Sequence, residues 1–454
     1  MSFIRKIKVG KKVYLAEVKS IRENGKVRQK FIRYVGTEIN RQPVKRVLTQ
    51  DIKIKNVKRS LDVLCIDSIA KELGITSIKN KYFLSLVYSQ LLEKRSINKI
   101  EDWIRFTEIP EVLQIKYVST KELYESLTDI EDEEFERIDS QMYRIFQKYD
   151  DSLDVAVIDV TDTYFEGDSE EIQRRKGKDG KVKKLLQVGL AISFKNGFPL
   201  FHKRYQGNLS NIQIYKDMAL ELKSRGMNSV IIDRGMMSSE NLQMTLNLQL
   251  KIIAGLKKTP PFASEYLSKI NRDEIYSLKN MVQLKNTSVF ISTFDHNFGK
   301  LIAVYNPSLE VMKKQLNFNK GISDVDKFIG YSLIYHNTDY SSVEIVTKYY
   351  DKEIIERAFK QMKGILSLRP IRVWLKGHVE GHIRICYLAY SILSLMNYKL
   401  RKLRISAVEA LNSLRHGYKV NLRNDKDNFE WSLYVPLEPK QKKMLKSLGV
   451  VYKN

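Results

Sequence analysis

Three carboxylates in this chain are placed where metal-dependent phosphoryl chemistry would use them. Asp159 closes the apolar run Val155-Ala156-Val157-Ile158, and Asp233 closes Val230-Ile231-Ile232. Glu356 lies in Tyr349–Lys363, a stretch with helical periodicity. A buried strand ending in an acid needs a reason, because an unpaired buried charge is costly. Two such ends and a helical acid point to a cluster held together by divalent cations, with hard oxygen ligands suited to Mg²⁺. At ~100° per residue, Tyr349, Lys352, Glu356 and Lys363 fall within an arc of about 60° if the helix is continuous. Ile355, Ala358, Phe359, Met362 and Leu366 form the adjoining apolar stripe, which should pack on a sheet. The cations and phenol around Glu356 suit phosphate oxygens, so the expected substrate is a phosphodiester.

The rest of the chain has to position these groups. Its 454 residues include 78 Lys+Arg against 53 Asp+Glu, a formal net charge of +25. That excess implies a polyanionic partner. It disfavours a glycosidase built on two carboxylates, since neutral sugars need no such field. No apolar run reaches the ~18 residues needed to span a membrane, and no secretory signal opens the chain. Only Cys65 and Cys386 are present. The expected setting is the cytoplasm, with no disulfide framework and no thiolate metal site.

The segments read as follows. Residues 1–60 carry 18 Lys+Arg against 4 Asp+Glu and form a basic, β-rich, DNA-binding candidate. Within it, Lys12–Ile21 and Lys26–Val35 read as strands joined at Asn24-Gly25, a hairpin signal. Lys26, Arg28 and Lys30 share one face by alternation and would grip phosphates. Residues 61–150 read as helical, and the acidic run Glu131–Glu134 as a solvated helix start. Phe135, Ile138, Met142 and Ile145 follow it at helical spacing. Residues 151–255 read as the first part of an α/β catalytic core with a mixed sheet, its first strand Asp154–Val160. A strongly basic loop containing Arg174, Arg175 and Lys176 turns at Asp179-Gly180. Residues 256–340 read as a β-rich insertion whose last strand rejoins the core. Residues 341–400 return to helix with the third acid, and 401–454 form a C-terminal tail.

Asp159-Val160-Thr161, Asp233-Arg234-Gly235 and the Tyr349, Lys352, Glu356, Lys363 series together resemble the DDE transposases of bacterial insertion sequences. The similar branch is the one with a Tyr-Arg-Glu-Lys signature. Gly197-Phe198-Pro199-Leu200, Gly207-Asn208-Leu209-Ser210, Leu368-Arg369-Pro370 and Gly381-His382 fit the same pattern. Lys352 departs from it, keeping the charge of the signature arginine without its bidentate fork. The resemblance implies a ribonuclease-H-like fold interrupted by a β-rich insertion. It also implies Mg²⁺-dependent cutting, or cutting with Mn²⁺, at terminal inverted repeats of double-stranded DNA. Joining of 3′-hydroxyls to target DNA by a homodimer on DNA, associated with the bacterial nucleoid, would follow. Asp159, Asp233 and Glu356 would hold two cations, and Tyr349, Lys352 and Lys363 would bind the DNA strand. Two other readings stay open: a catalytically silent DNA-binding protein of transposase origin, and a ribonuclease-H-like nuclease that cleaves without joining.

Several residues carry secondary readings. Asp162 is the rival first acid but should fall in the loop after the strand, and Glu166 and Asp168 read as loop acids. His378 and His382 have the spacing of transition-metal ligands, yet no third ligand accompanies them, so a structural or phosphate-contacting role is expected. Trp103 and Trp431 read as packing residues. Trp374, beside Arg372 and Lys376, is a candidate for stacking on a base. Lys257-Lys258 reads equally as a solvated pair or a DNA contact.

Overall fold

The computed structural model describes residues 2–10, 12–23, 26–39, 42–44, 51–150, 155–164, 174–176, 182–321, 327–373, 375–424 and 429–451. The Asn24-Gly25 and Asp179-Gly180 turns, Asp154, Glu166, Asp168 and Trp374 lie outside them, as do the side chains of Lys26, Arg174, Arg175 and Lys176. The chain forms two compact units. One comprises residues 1–58, 417–436 and 453–454, the other 59–416 and 437–452. No described helix is long and apolar enough to cross a membrane.

The smaller unit is built of antiparallel ribbons. Ser2–Val9, Lys12–Glu23, Lys26–Ile39 and Gln42–Val44 lie side by side in that order. Glu23 pairs with Lys26, as an Asn-Gly hairpin requires. Alternation gives this sheet two unlike faces. Lys6, Lys8, Lys19, Arg28, Lys30 and Arg33 share one, while Phe3, Ile7, Tyr14, Val27, Phe31 and Tyr34 share the other. Part of the tail also belongs here. Tyr418–Asn424 and Phe429–Tyr434 form a hairpin that adds to Ile52–Arg59, with Lys55 and Glu430 paired at 2.8 Å.

The larger unit is organised by one mixed sheet. Its strands Pro199–Gln206, Val182–Ser193, Val155–Tyr164, Ser229–Ile232 and Lys251–Leu256 are adjacent in that order. Val182–Ser193 is antiparallel to both of its neighbours, and the last two strands run parallel to Val155–Tyr164. Numbered along the chain the order is 3-2-1-4-5, the ribonuclease-H-like arrangement. Helix Asn211–Ser224, opened by a Ser210–Gln213 capping box, makes the crossover to Ser229–Ile232.

Residues 256–340 do contain the expected strands, with the helices Pro260–Leu267, Arg272–Ile275 and Pro307–Asn319 among them. They do not form a sheet of their own. Tyr331–His336 pairs antiparallel with Lys251–Leu256, and Gly299–Tyr305, Ser288–His296 and Met281–Gln283 follow outward. Extending an existing edge satisfies its unpaired backbone groups, which a separate sheet would leave open.

Helices cover this sheet. Asp132–Tyr149 starts with Asp132, Glu133 and Glu134 in its first turn and buries Phe135, Ile138, Met142 and Phe146. Phe146, not Ile145, takes the fourth core position. Lys376–Leu400 is the long central helix, buried over most of its length and packed on Lys81–Leu92 and Leu61–Glu72. Its Tyr387 hydroxyl donates to Asp139 at 2.6 Å, and Asp139 is paired with Arg225 at 2.7 Å. That satisfied buried acid ties helix Asp132–Tyr149 to helix Lys376–Leu400 and to the end of helix Asn211–Ser224.

Candidate active site

Asp159 does not end its strand. The strand runs Val155–Tyr164, because Thr161, Asp162 and Thr163 pair with Val188, Gln187 and Leu186 of the neighbouring strand. What ends near Asp159 is the parallel pairing: the last registered pair with the neighbouring strand is Ile232 with Ile158. Asp233 and Asp159 therefore come next to each other, one residue past that pair, on strands roughly 4.8 Å apart. Asp159 is half-buried and accepts the Val160 backbone N–H at 2.7 Å. Asp162 lies in the strand and not in a loop. Three residues on, it points to the opposite face of the sheet from Asp159. That placement removes it as a rival first acid beside Asp233.

Asp233 has two partners from the helical segment that follows the sheet extension. The Tyr349 hydroxyl donates to Asp233 Oδ1 at 3.2 Å, and Lys352 Nζ stands 3.3 Å from the same oxygen. Partial burial of Asp233 opposes its ionisation. The Lys352 charge, the Arg234 backbone N–H and the Tyr349 hydroxyl outweigh that, holding its pKa below the ordinary carboxylate value. The same contact acts in reverse on Tyr349. Burial, then the Asp233 charge, push its phenol far up, so it remains a donor.

Gly255 makes this arrangement possible. It follows Ala254, the partner of Ile232, on the other side of Asp233. A Cβ added at Gly255 would lie 2.1 Å from Tyr349 Oη and 2.9 Å from its Cζ. The phenol thus rests directly on the backbone beside the acid, which only a residue without a side chain permits. No periodic signal marks this glycine in the sequence.

The helix carrying the third acid is interrupted. Ser341 and Glu344 form a capping box that starts Ser342–Asp351; the next helix is Glu353–Lys360. Lys352 separates them with φ −57° and ψ −12°. A π turn, Gln361–Ile365, follows. The single 60° arc therefore does not hold. Tyr349 and Lys352 meet at Asp233, with Lys352 Nζ 5.2 Å from the Tyr349 ring centre. Glu356 sits in the first turn of the second helix and is exposed. Lys363 lies in the π turn, 5.8 Å from the Phe359 ring centre. The apolar stripe is as expected: Ile355, Ala358, Phe359, Met362 and Leu366 are all buried, and the helix packs on the Asp159 strand. Each large member contributes roughly 1.5–3 kcal/mol by leaving water.

Among the described residues, no three His, Cys, Asp or Glu side chains are gathered as a metal site. Two acids share one sheet end, and the ammonium of Lys352 already occupies one of them. An all-oxygen donor pair that draws a cation is chemically suited to a hard divalent ion.

The remaining residues are dispersed. Arg174–Lys176 pairs as a short strand with Val182–Lys184. Arg28 and Lys30 are exposed on the smaller unit. His382 Nε2 meets the Ser367 carbonyl at 3.2 Å, and burial lowers its pKa to about 4. His378 stacks against Tyr124, 5.9 Å between ring centres. Both contacts are structural. Arg59 lies over Trp103 at 6.0 Å, and Trp431 stacks on Phe429 at 5.7 Å. Lys258 donates to the Phe328 carbonyl at 2.8 Å, while Lys257 is exposed.

The family model described as "Transposase DDE domain" matches residues 150–392. No curated protein matches the chain. Among solved structures it is similar to the piggyBac transposase in a synaptic complex with hairpin DNA, seen by cryo-EM. The identity is 12%, each chain is covered over 78%, and the TM-score is 0.43.

Proposed function

The chain belongs to the transposase DDE domain family, and from that premise we propose that it cuts DNA at terminal inverted repeats and joins the freed 3′-hydroxyls to target DNA. The observation that supports this most is the register that sets Asp159 beside Asp233 at one sheet end. Asp159, Asp233 and Glu356 are the residues that would hold Mg²⁺ or Mn²⁺. Bound there, such ions supply the positive charge that activates an attacking oxygen and stabilises a leaving one. Glu356 sits on a helix docked to the Asp159 strand.

The chain's own groups do the positioning. Tyr349 donates to Asp233 and orients the carboxylate. Lys352 neutralises it until a phosphate or a metal ion competes. Lys363, Arg174, Arg175 and Lys176 would contact the DNA backbone. In the smaller unit Lys19 is registered directly opposite Lys30. Like charges directly across a strand pair are unfavourable alone, and a phosphate backbone relieves them. Arg28 and Lys30, with Lys26 on the same strand face, fit this role. The insertion-sequence branch and a dimer on paired ends complete the reading.

The test is a duplex bearing the repeat that flanks the gene, incubated with Mg²⁺ or Mn²⁺. Nicking at the repeat boundary and strand joining, both lost in Asp159→Asn, Asp233→Asn and Glu356→Gln, are the expected results. Nicking without joining would reduce the protein to a nuclease. Binding without metal-dependent cutting would overturn the enzymatic reading.

A further inference from the structure

The sheet end that carries the acids is divided by charge. Asp159 and Asp233 stand on neighbouring strands, one residue past the last registered pair. On the other side of Asp233 lies Lys251–Leu256, which has Gly255 at the level of Asp233 and runs on into Lys257-Lys258. Lys258 is engaged by the Phe328 carbonyl, while Lys257 is exposed. Arg234 stands between the two halves, directly after Asp233, and is exposed.

In a continuing strand Arg234 would face away from Asp233. The turn over 233–236 prevents this: the Met236 N–H donates to the Asp233 carbonyl at 3.1 Å, and Met236 is buried. A Cβ added at Gly255, on the side where Tyr349 rests, would lie 3.3 Å from Arg234 Cβ. The Arg234 charge also reaches the Tyr349 phenol, where it counters the upward push of burial and of Asp233. Among the described residues its side chain makes no hydrogen bond and no ion pair. A guanidinium one residue from a carboxylate would ordinarily pair with it, but Lys352 and Tyr349 already hold Asp233. Arg234 is thus left with five donors and no protein acid to take them. Lys352 offers an anion only a point charge, whereas the planar guanidinium matches two phosphate oxygens at once.

We propose that Arg234 binds the phosphate at which the DNA strand is cut, its guanidinium on the two non-bridging oxygens. It thereby supplies, from the basic half of the sheet end, the fork that Lys352 lacks. The proposal rests on the transposase reading only for the identity of that phosphate.

Two labelled duplexes test this with the full chain: one spanning the repeat boundary, and one whose boundary phosphate is a neutral methylphosphonate. Affinity is read by fluorescence anisotropy in EDTA, so no cutting is involved. The wild type should bind the methylphosphonate duplex about tenfold more weakly, the loss of one charge-assisted contact. Arg234→Ala should bind the ordinary duplex about tenfold more weakly and lose nothing further on the methylphosphonate, because both changes remove the same contact. Arg234→Lys should recover part of the affinity and part of the discrimination. Lys257→Ala, which removes a charge from the same sheet end, should weaken both duplexes alike. Losses that multiply in Arg234→Ala overturn the proposal. So does a wild type that does not distinguish the duplexes, or a Lys257→Ala that couples to the methylphosphonate as Arg234→Ala does. A chain that binds in the expected pattern without cutting would fail the transposase reading and keep this contact; a chain that cuts without the pattern would do the reverse.

Discussion

Lys352 Nζ lies 3.3 Å from Asp233 Oδ1, on an acid that the fold sets beside Asp159. An ammonium there is a built-in competitor for any divalent ion. Its removal in Lys352→Ala should raise Mn²⁺ affinity on the order of tenfold at low salt, since one nearby positive charge is gone. Paramagnetic resonance of free Mn²⁺ reads this without any reaction. Unchanged or weaker binding would show that Lys352 does not oppose the ion.

Gly255→Ala places a methyl group 2.1 Å from Tyr349 Oη, so the phenol must leave Asp233. Overpacking of this kind costs about 1–3 kcal/mol. The expected result is a lower denaturation midpoint for Gly255→Ala. Combining it with Tyr349→Ala should recover part of the loss, because the clashing ring is gone. Additive losses in the double variant would place the strain elsewhere.

These two contacts mark the limit of what the sequence reveals. The apolar runs before Asp159 and Asp233 are legible because buried parallel strands read as continuous hydrophobic stretches. The stripe from Ile355 to Leu366 is legible from its helical period. The break at Lys352 is not. Its φ of −57° is helical, and only ψ departs, at −12°, with no Gly or Pro to announce it. The length of the strand beyond Asp159 was hidden for a related reason: Thr161-Asp162-Thr163 reads as a turn until its partners Leu186 to Val188 are known. Likewise, the attachment of Tyr331–His336 to Lys251–Leu256 is a long-range pairing that local patterns do not encode.

Acid should expose the state of Asp233. Its pKa is depressed in the folded chain, chiefly by Lys352 acting against burial. A depressed carboxylate contributes stability that is complete above its unfolded value, about 3.9, and is lost as pH falls through the lower folded value. Above pH 5 this pair should therefore leave stability flat. Asp233→Asn should remove part of the acid-induced decline in thermal midpoint that the wild type shows below pH 4. An identical decline in both proteins would mean that the ion pair is absent in solution.

His382 titrates in a different window. Burial lowers its pKa from an ordinary 6.5 to about 4, while its bond to the Ser367 carbonyl pulls the other way. The unfolded chain therefore binds the proton first. Stability linked to His382 is full above about pH 6.5 and declines as pH falls toward 4. The expected loss between pH 7 and pH 5 is about 2 kcal/mol. Comparing thermal midpoints at pH 7 and pH 5 for wild type and His382→Gln isolates it, with the variant showing the smaller drop.

DNA affinity should fall steeply with salt, because each neutralised phosphate releases counterions. Arg28 and Lys30 are exposed on the same sheet face as Lys6, Lys8 and Lys19. If that face holds phosphates, Arg28→Ala with Lys30→Ala should lower the slope of log affinity against log salt by about 2. Fluorescence anisotropy on a labelled duplex across a salt series measures the slope directly. The loss should be similar for repeat and unrelated sequences, since phosphate contacts carry no base information. A loss confined to the repeat sequence would instead make this face a reader of bases. An unchanged slope would remove it from the DNA path altogether.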